Sequence, residues 1–184
     1  NPFTKEAYFD FDLFRKHVGL AQRMMDDIID LEMEKIDKII EKIKSDPETD
    51  EVKCTELNLW YKIQKRTLQG RRTAEGDMIA ALGLRYGTEE ATDFSEKVHR
   101  SLALAAYRSS VSMAKERGAF SIFDAGREVD NPFINRLKKE DEELYRDMCK
   151  YRRRNIACLT IAPTGTTSLM TQTTSGIEPV FMPV

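Results

Sequence analysis

The chain has 184 residues, 41% of them hydrophobic and 33% charged, with a formal net charge of −2 and a mean hydropathy of −0.51. That length holds one domain with a real core, and that charge gives no global field to draw the chain to nucleic acid or an anionic membrane. No apolar run approaches the length of a membrane span. Asn1 to Asp12 is mixed polar and aromatic and does not read as a signal peptide. The first residue is Asn1 rather than an initiator methionine, which is the expectation for a piece of something larger. Cys54, Cys149 and Cys158 are widely spaced with no C-x-x-C, which argues against a disulfide scaffold or a zinc site and for a reducing cytoplasm. His17 and His99 each lie inside a helical pattern and read as ordinary helix residues.

In chain order, Asp12 is expected to cap a helix whose core face is Phe14, Val18, Ala21, Met25 and Ile28, resuming at Ile36, Ile39, Ile40 and Ile43. Ser45-Asp46-Pro47 stops it. Leu57 to Leu68 reads as a second helix ended by Gly70, and Gly76 to Leu82 as a short third, with Gly83 and Gly87 as punctuation. Thr88 is a good N-cap, followed by Glu89 and Glu90 where negative charge suits the helix dipole. From there Ala91, Phe94, Val98, Leu102, Ala105 and Met113 mark one long amphipathic helix, ending at Gly118 after Lys115 and Arg117. Asp124 to Asn135 reads as a loop, and Glu140 to Lys150 as a solvated helix. Asn155 to Ala162 is a nearly continuous apolar run rich in β-formers, the pattern of a buried strand.

Directly after that run comes Pro163-Thr164-Gly165-Thr166-Thr167-Ser168. A buried strand, a tight turn and a hydroxyl-rich helix start make an anion site, because unpaired N–H groups at the helix start point outward and the dipole adds partial positive charge. The hydroxyls of Thr164, Thr166, Thr167 and Ser168 add donors. Gly165 allows close approach of a ligand and can take positive φ, and Pro163 ends the strand. The turn has neither the spacing nor the lysine of a Walker P-loop, and it is not a G-x-G-x-x-G. A neutral cradle suits a phosphate that is held rather than transferred. On the residues alone, a plain Ser/Thr turn capping a helix is the somewhat better account of the pattern.

Arg153 to Ser168, containing R-N-x-x-x-x-x-I-A-P-T-G-T-x-S, followed by Ser175-Gly176-Ile177-Glu178-Pro179, resembles the C-terminal barrel region of ribonucleotide reductase large subunits. Gly70 to Thr73, Ala81 to Tyr86 and Glu116 to Gly118 fall where that family has comparable segments, and the likeness is nearest its adenosylcobalamin-dependent members. The resemblance implies an α/β fold: a mostly helical fragment of a ten-stranded α/β barrel, all within one catalytic domain. Residues 1–150 would be mainly helical, and 151–184 would supply a strand, the phosphate loop and the barrel segment after it.

The resemblance further implies radical reduction of ribonucleotides to deoxyribonucleotides for DNA synthesis. A thiyl radical on a finger loop takes the 3′-hydrogen, and a cysteine pair supplies electrons. Pro163, Thr164, Gly165, Thr166, Thr167 and Ser168 would hold the substrate phosphates. The implied cofactor is adenosylcobalamin for the parent enzyme, with a metal-radical second subunit as the alternative, and none bound within this segment. The implied partners are the ribonucleotide, the rest of the catalytic subunit and a thioredoxin- or glutaredoxin-type reductant, with room for a homodimer.

There are departures from the family. The finger-loop pattern N-P-C-x-E is not matched by Asn1-Pro2-Phe3, so no catalytic cysteine is assigned and the segment alone is expected to be inactive. The family's Gly-rich apolar stretch before Asp77 is shortened to Thr73-Ala74-Glu75-Gly76. Where the family tends to have Gly before the Arg-Asn of its final strand, this chain has Arg152 and Arg153. Two other readings stand beside this one. A non-catalytic helical phosphate-binding or regulatory interaction domain would use residues 164–168 as a cap. A nucleic-acid module would use Arg71-Arg72 and Arg152 to Arg154, against the net charge and the lack of any such motif.

Overall fold

In the computed structural model, the structure describes residues 1–45, 50–64, 75–161 and 163–179, with the side chains of 60–64 left aside. The helix α1 runs Phe11–Ser45, α2 Glu51–Gln64, α3 Glu75–Ala81, α4 Glu89–Arg117, α5 Pro132–Glu140, α6 Glu142–Tyr151 and α7 Gly165–Thr171. The predicted bounds of α4 hold, α3 lies one residue earlier than foreseen, and Thr88 caps α4 by accepting from the Ala91 N–H at 3.3 Å. Gly118 closes α4 at φ +85°, a left-handed value that favours glycine.

Other elements differ from their sequence expectation. The cap of α1 is Asp10, whose Oδ1 accepts from Leu13 N–H at 2.9 Å, while Asp12 pairs with Arg15. The α2 helix begins at Glu51, capped by Asp50, and the end foreseen near Leu68 and Gly70 lies outside the described residues. The supposed loop at Asp124 to Asn135 holds a 3-10 turn, Ala125–Glu128, and the start of α5. Asn131 caps α5 and Pro132 occupies its first turn, where a missing N–H costs nothing. The α6 helix is not simply solvated, because Leu144 and Met148 on one face are fully buried. Its companion face carries Glu142, Glu143 and Lys150.

The core is where these faces meet. Ala103, Ala106, Tyr107 and Val111 of α4, Ile134 and Leu137 of α5, Leu144 and Met148 of α6, and Cys158 form one buried cluster. The α1 helix packs along α4, and α2 folds back on α1. Phe9 meets the rings of Phe11, Phe14 and Phe94 edge-on, and Phe11 also lies tilted against Phe94, pinning the start of α1 to the start of α4.

The foreseen buried strand at 155–162 is not formed among the described residues. Leu159 makes a single β-bridge, and the other described residues of that stretch have no regular structure. A strand needs neighbours along both edges to pair its N–H and C=O groups. Here the incoming backbone is pinned to α4 and to the segment just after it: Phe120 N–H donates to the Arg153 carbonyl at 3.0 Å, and Arg154 N–H to the Ser110 carbonyl at 3.1 Å. The described residues therefore form a helical assembly, and the α/β barrel expected from the resemblance is not seen in them.

Candidate functional site

The turn at 163–168 is built from its base upward. Thr164 is buried and presents both backbone N–H and Oγ1 to one acceptor, the Ser175 carbonyl, at 2.9 and 3.0 Å. Its own carbonyl receives the Ser168 N–H at 2.8 Å, the first bond of α7. Ser168, also buried, turns its Oγ back to the Gly165 carbonyl at 2.8 Å. Gln172 then takes a left-handed conformation, φ 55° and ψ 46°, and the chain returns to Thr174 and Ser175.

Two of the four foreseen hydroxyl donors are therefore engaged inside the turn. Thr164 holds the base of the turn and makes no side-chain cap bond, and Ser168 bonds its own helix. The exposed donors are fewer than foreseen: the hydroxyls of Thr166 and Thr167, and the first-turn N–H groups of Gly165, Thr166 and Thr167, have no acceptor among the described residues. Gly165 does not use the positive φ it was credited with; a Cβ there would meet open space. Pro163 is exposed beside the turn. The three amides belong to the first turn of α7, where Thr166 and Thr167 are exposed, and such donors suit a hydrogen-bond-accepting anion more than a cation.

The Arg-Asn pair of the long motif has a different task. Arg154 Nε donates to both Asp26 carboxylate oxygens at 3.2 Å, and Asn155 Nδ2 donates to Asp26 Oδ1 at 3.1 Å. Arg117 adds a third contact, at 3.0 Å to Oδ2. Asp26 is 3% exposed, so three donors surrounding it are what make a buried carboxylate tolerable. Ser110 joins the hub by donating to Asn155 Oδ1 at 2.9 Å. Arg153 is 2% exposed and forms a two-pronged pair with Glu128 at 2.7 and 2.6 Å, under the rings of Tyr107, Phe120 and Phe123. Arg153 and Arg154 are thus structural anchors, while Arg152 is exposed and Arg71-Arg72 lie outside the described residues.

Sequence reasoning missed Asp26, reading α1 there as an apolar face. The one available signal was Asp26-Asp27-x-x-Asp30 interrupting the stripe. It also missed Glu75, whose buried carboxylate receives the Ser95 hydroxyl and lies 2.8 Å from His99 Nε2. Cys158 is fully buried, and burial pushes its thiol up to about 11, as suits an inert core thiol. Cys54 is buried as well, and Cys149 is exposed. Among the described residues no cluster of three His, Cys, Asp or Glu could hold a metal, and no helix is long and apolar enough to cross a membrane.

Comparison with known proteins now places the chain. The family described as ribonucleotide reductase, barrel domain, matches residues 1–184. A vitamin B12-dependent ribonucleoside-diphosphate reductase of Mycobacterium tuberculosis (strain CDC 1551 / Oshkosh) is 29% identical over 172 residues, 94% of this chain and 19% of that protein. The vitamin B12-dependent ribonucleoside-diphosphate reductase of Thermoplasma acidophilum is 27% identical over 177 residues, 94% of this chain and 18% of that protein. A ribonucleoside-diphosphate reductase subunit alpha of Chlamydia pneumoniae is 26% identical over 191 residues, 94% of this chain and 16% of that protein. The chain spans about a fifth of the length of the curated relatives it matches. On a match that runs from Asn1 to Val184, the chain belongs to the ribonucleotide reductase family, in the part that makes up its barrel domain.

Proposed function

We propose that this chain is part of the catalytic barrel domain of a vitamin B12-dependent ribonucleoside-diphosphate reductase, and that residues 163–168 hold the phosphates of the ribonucleotide. The observation that carries the second half is the set of outward donors: three amides and the Thr166 and Thr167 hydroxyls, on a turn whose base is clasped by Thr164 and Ser175. Such a set binds phosphate oxygens without lending a proton or a cation to phosphate chemistry, which suits a substrate whose reacting atoms are on the sugar. The similarity to relatives named vitamin B12-dependent supports adenosylcobalamin as the cofactor of the whole enzyme.

The described residues do not fit a corrinoid seat. His99 engages Glu75, and His17 stands exposed on α1. The cofactor's seat is assigned to the remainder of the enzyme. The ribonucleotide and a dithiol protein reductant are the partners this reading calls for, and three free thiols are in keeping with a reducing cytoplasm.

The test is protection of the fold by inorganic pyrophosphate, followed by thermal unfolding of the wild type and of Gly165→Glu. The new Cβ meets open space, and a carboxylate in the first turn of α7 suits the helix dipole, so the variant keeps the fold. Pyrophosphate is expected to raise the wild-type Tm and to leave the variant's unchanged. Equal protection of both would assign the anion to another place and remove the phosphate reading.

A further inference from the structure

Three consecutive residues at the start of α3 each meet a different neighbour. The buried Glu75 ties α3 to α4 through Ser95 and His99. At Gly76 a Cβ would lie 2.6 Å from the Glu178 carbonyl oxygen and 2.9 Å from Pro179 Cα, so only glycine lets that segment lie against the helix. Asp77 Oδ2 accepts the backbone N–H of Thr174 at 2.6 Å. The next residue is Ser175, the one whose carbonyl receives both donors of Thr164. A short bonded path thus runs from α3 to the base of the phosphate turn: Asp77 to Thr174, along one peptide to Ser175, and across to Thr164.

We propose that Asp77 is a positioning residue for the phosphate turn, fixing its closing segment on α3 so that Thr164 and the amides after it stay aimed at the ligand. The inference rests on the phosphate reading of residues 163–168 and adds to it a residue that touches no substrate. Its physical basis is the strength and burial of one bond. An amide donating to a carboxylate is stronger than a neutral pair. Thr174 is 7% exposed, so its N–H without Asp77 would face a largely dry environment. The least costly response is for residues 174–175 to shift toward water, which draws the Ser175 carbonyl away from Thr164 and unclasps the turn. The donor set then loses its common direction, and a ligand must re-order it on binding. Asp77 sits in a helix tied to α4 on its other side, so the anchor itself does not move with the turn.

The experiment is a calorimetric titration of inorganic pyrophosphate into the wild type, Asp77→Ala, Asp77→Asn and Gly165→Glu. Asp77→Ala is expected to weaken binding about tenfold, while Asp77→Asn, whose amide oxygen still accepts from Thr174, stays within about twofold. A purely structural role would lower the Tm of both variants in proportion and leave the affinity of the folded protein alone. Wild-type affinity in Asp77→Ala, with binding lost in Gly165→Glu, would overturn the role of Asp77 and spare the turn. Unchanged binding in both would overturn the turn and Asp77 together. If Asp77→Ala does not fold, hydrogen exchange on the wild type decides: pyrophosphate is expected to slow exchange at the Thr174 amide, and exchange that ignores pyrophosphate would sink the proposal.

Discussion

Arg152 ends α6 with φ 68° and ψ −167°, a backbone region that is nearly reserved for glycine. Its own side chain is exposed, while the next residue, Arg153, must dive into the core to meet Glu128. The tight reversal is therefore imposed by its neighbour, and the family's tendency toward glycine near this point has a physical reason. Arg152→Gly is expected to raise stability by about 1 kcal/mol, since it relieves roughly 1–3 kcal/mol of strain and gives back part of that in unfolded-chain entropy. Urea unfolding at neutral pH measures it, and a variant less stable than the wild type would contradict the strain argument. At this scale the sequence showed which residues form a motif but not what they touch. Arg154 and Asn155 stood out in the pattern, yet their partner Asp26 lies 128 and 129 positions away, and periodicity does not report contacts of that span. The turn itself was readable at 163–168 because its chemistry is local, while the bonds of Thr164 to Ser175 and of Asp77 to Thr174 depend on how the chain returns.

The α1 helix shows how an apolar pattern can mislead about a face. Its buried residues are Gln22, Asp26, Ile36 and Ile40, whereas Leu20, Met24, Ile28 and Leu31 are half or more exposed. The foreseen core face mixed both sides: Phe14, Val18 and Met25 are partly covered, and Ala21 and Ile28 are exposed. Composition alone could not separate them, because the helix is apolar on one side and has an acidic hub within the other. The double substitution Met24→Asp with Ile28→Asp is expected to change stability by less than about 0.5 kcal/mol, as for other exposed positions. Ile36→Ala is expected to cost about 2–4 kcal/mol, since Ile36 is 5% exposed. Thermal unfolding of both variants decides, and the reverse ranking would place the core of this helix on its other side. The cap of α4 was legible at Thr88, because a cap needs only its own next turn, whereas α1 is capped by Asp10 rather than the foreseen Asp12. The α5 helix was hidden by its own start signals, since Asn131 and Pro132 read as loop residues until the helix behind them is known.

For the whole molecule, the helices form without the barrel they are expected to surround. Helices satisfy their backbone internally, whereas the apolar run after Arg154 needs strands beside it, and the described residues supply none. That is why the helical part of the fold was largely readable and the strand was not borne out. The same division bears on catalysis. Replacing a ribose hydroxyl by hydrogen consumes two electrons, and the family resemblance assigns them to a pair of thiols that close to a disulfide. Here Cys54 and Cys158 are buried and Cys149 is exposed. Burial pushes the Cys158 thiol up to about 11, so at neutral pH it is almost wholly protonated and a poor electron donor. With a single exposed thiol, a 184-residue chain in solution can form a disulfide only with another molecule. It is therefore expected to yield no deoxyribonucleotide from a ribonucleoside diphosphate in the presence of adenosylcobalamin and a dithiol reductant, even if it binds pyrophosphate. Chromatographic assay of the nucleotide products checks this, with Cys149→Ser as the control. Turnover by the wild type that disappears in Cys149→Ser would show that this exposed thiol carries electrons after all. Turnover that survives the substitution would mean that a buried thiol becomes accessible, and the packing around Cys158 would have to open for it to do so.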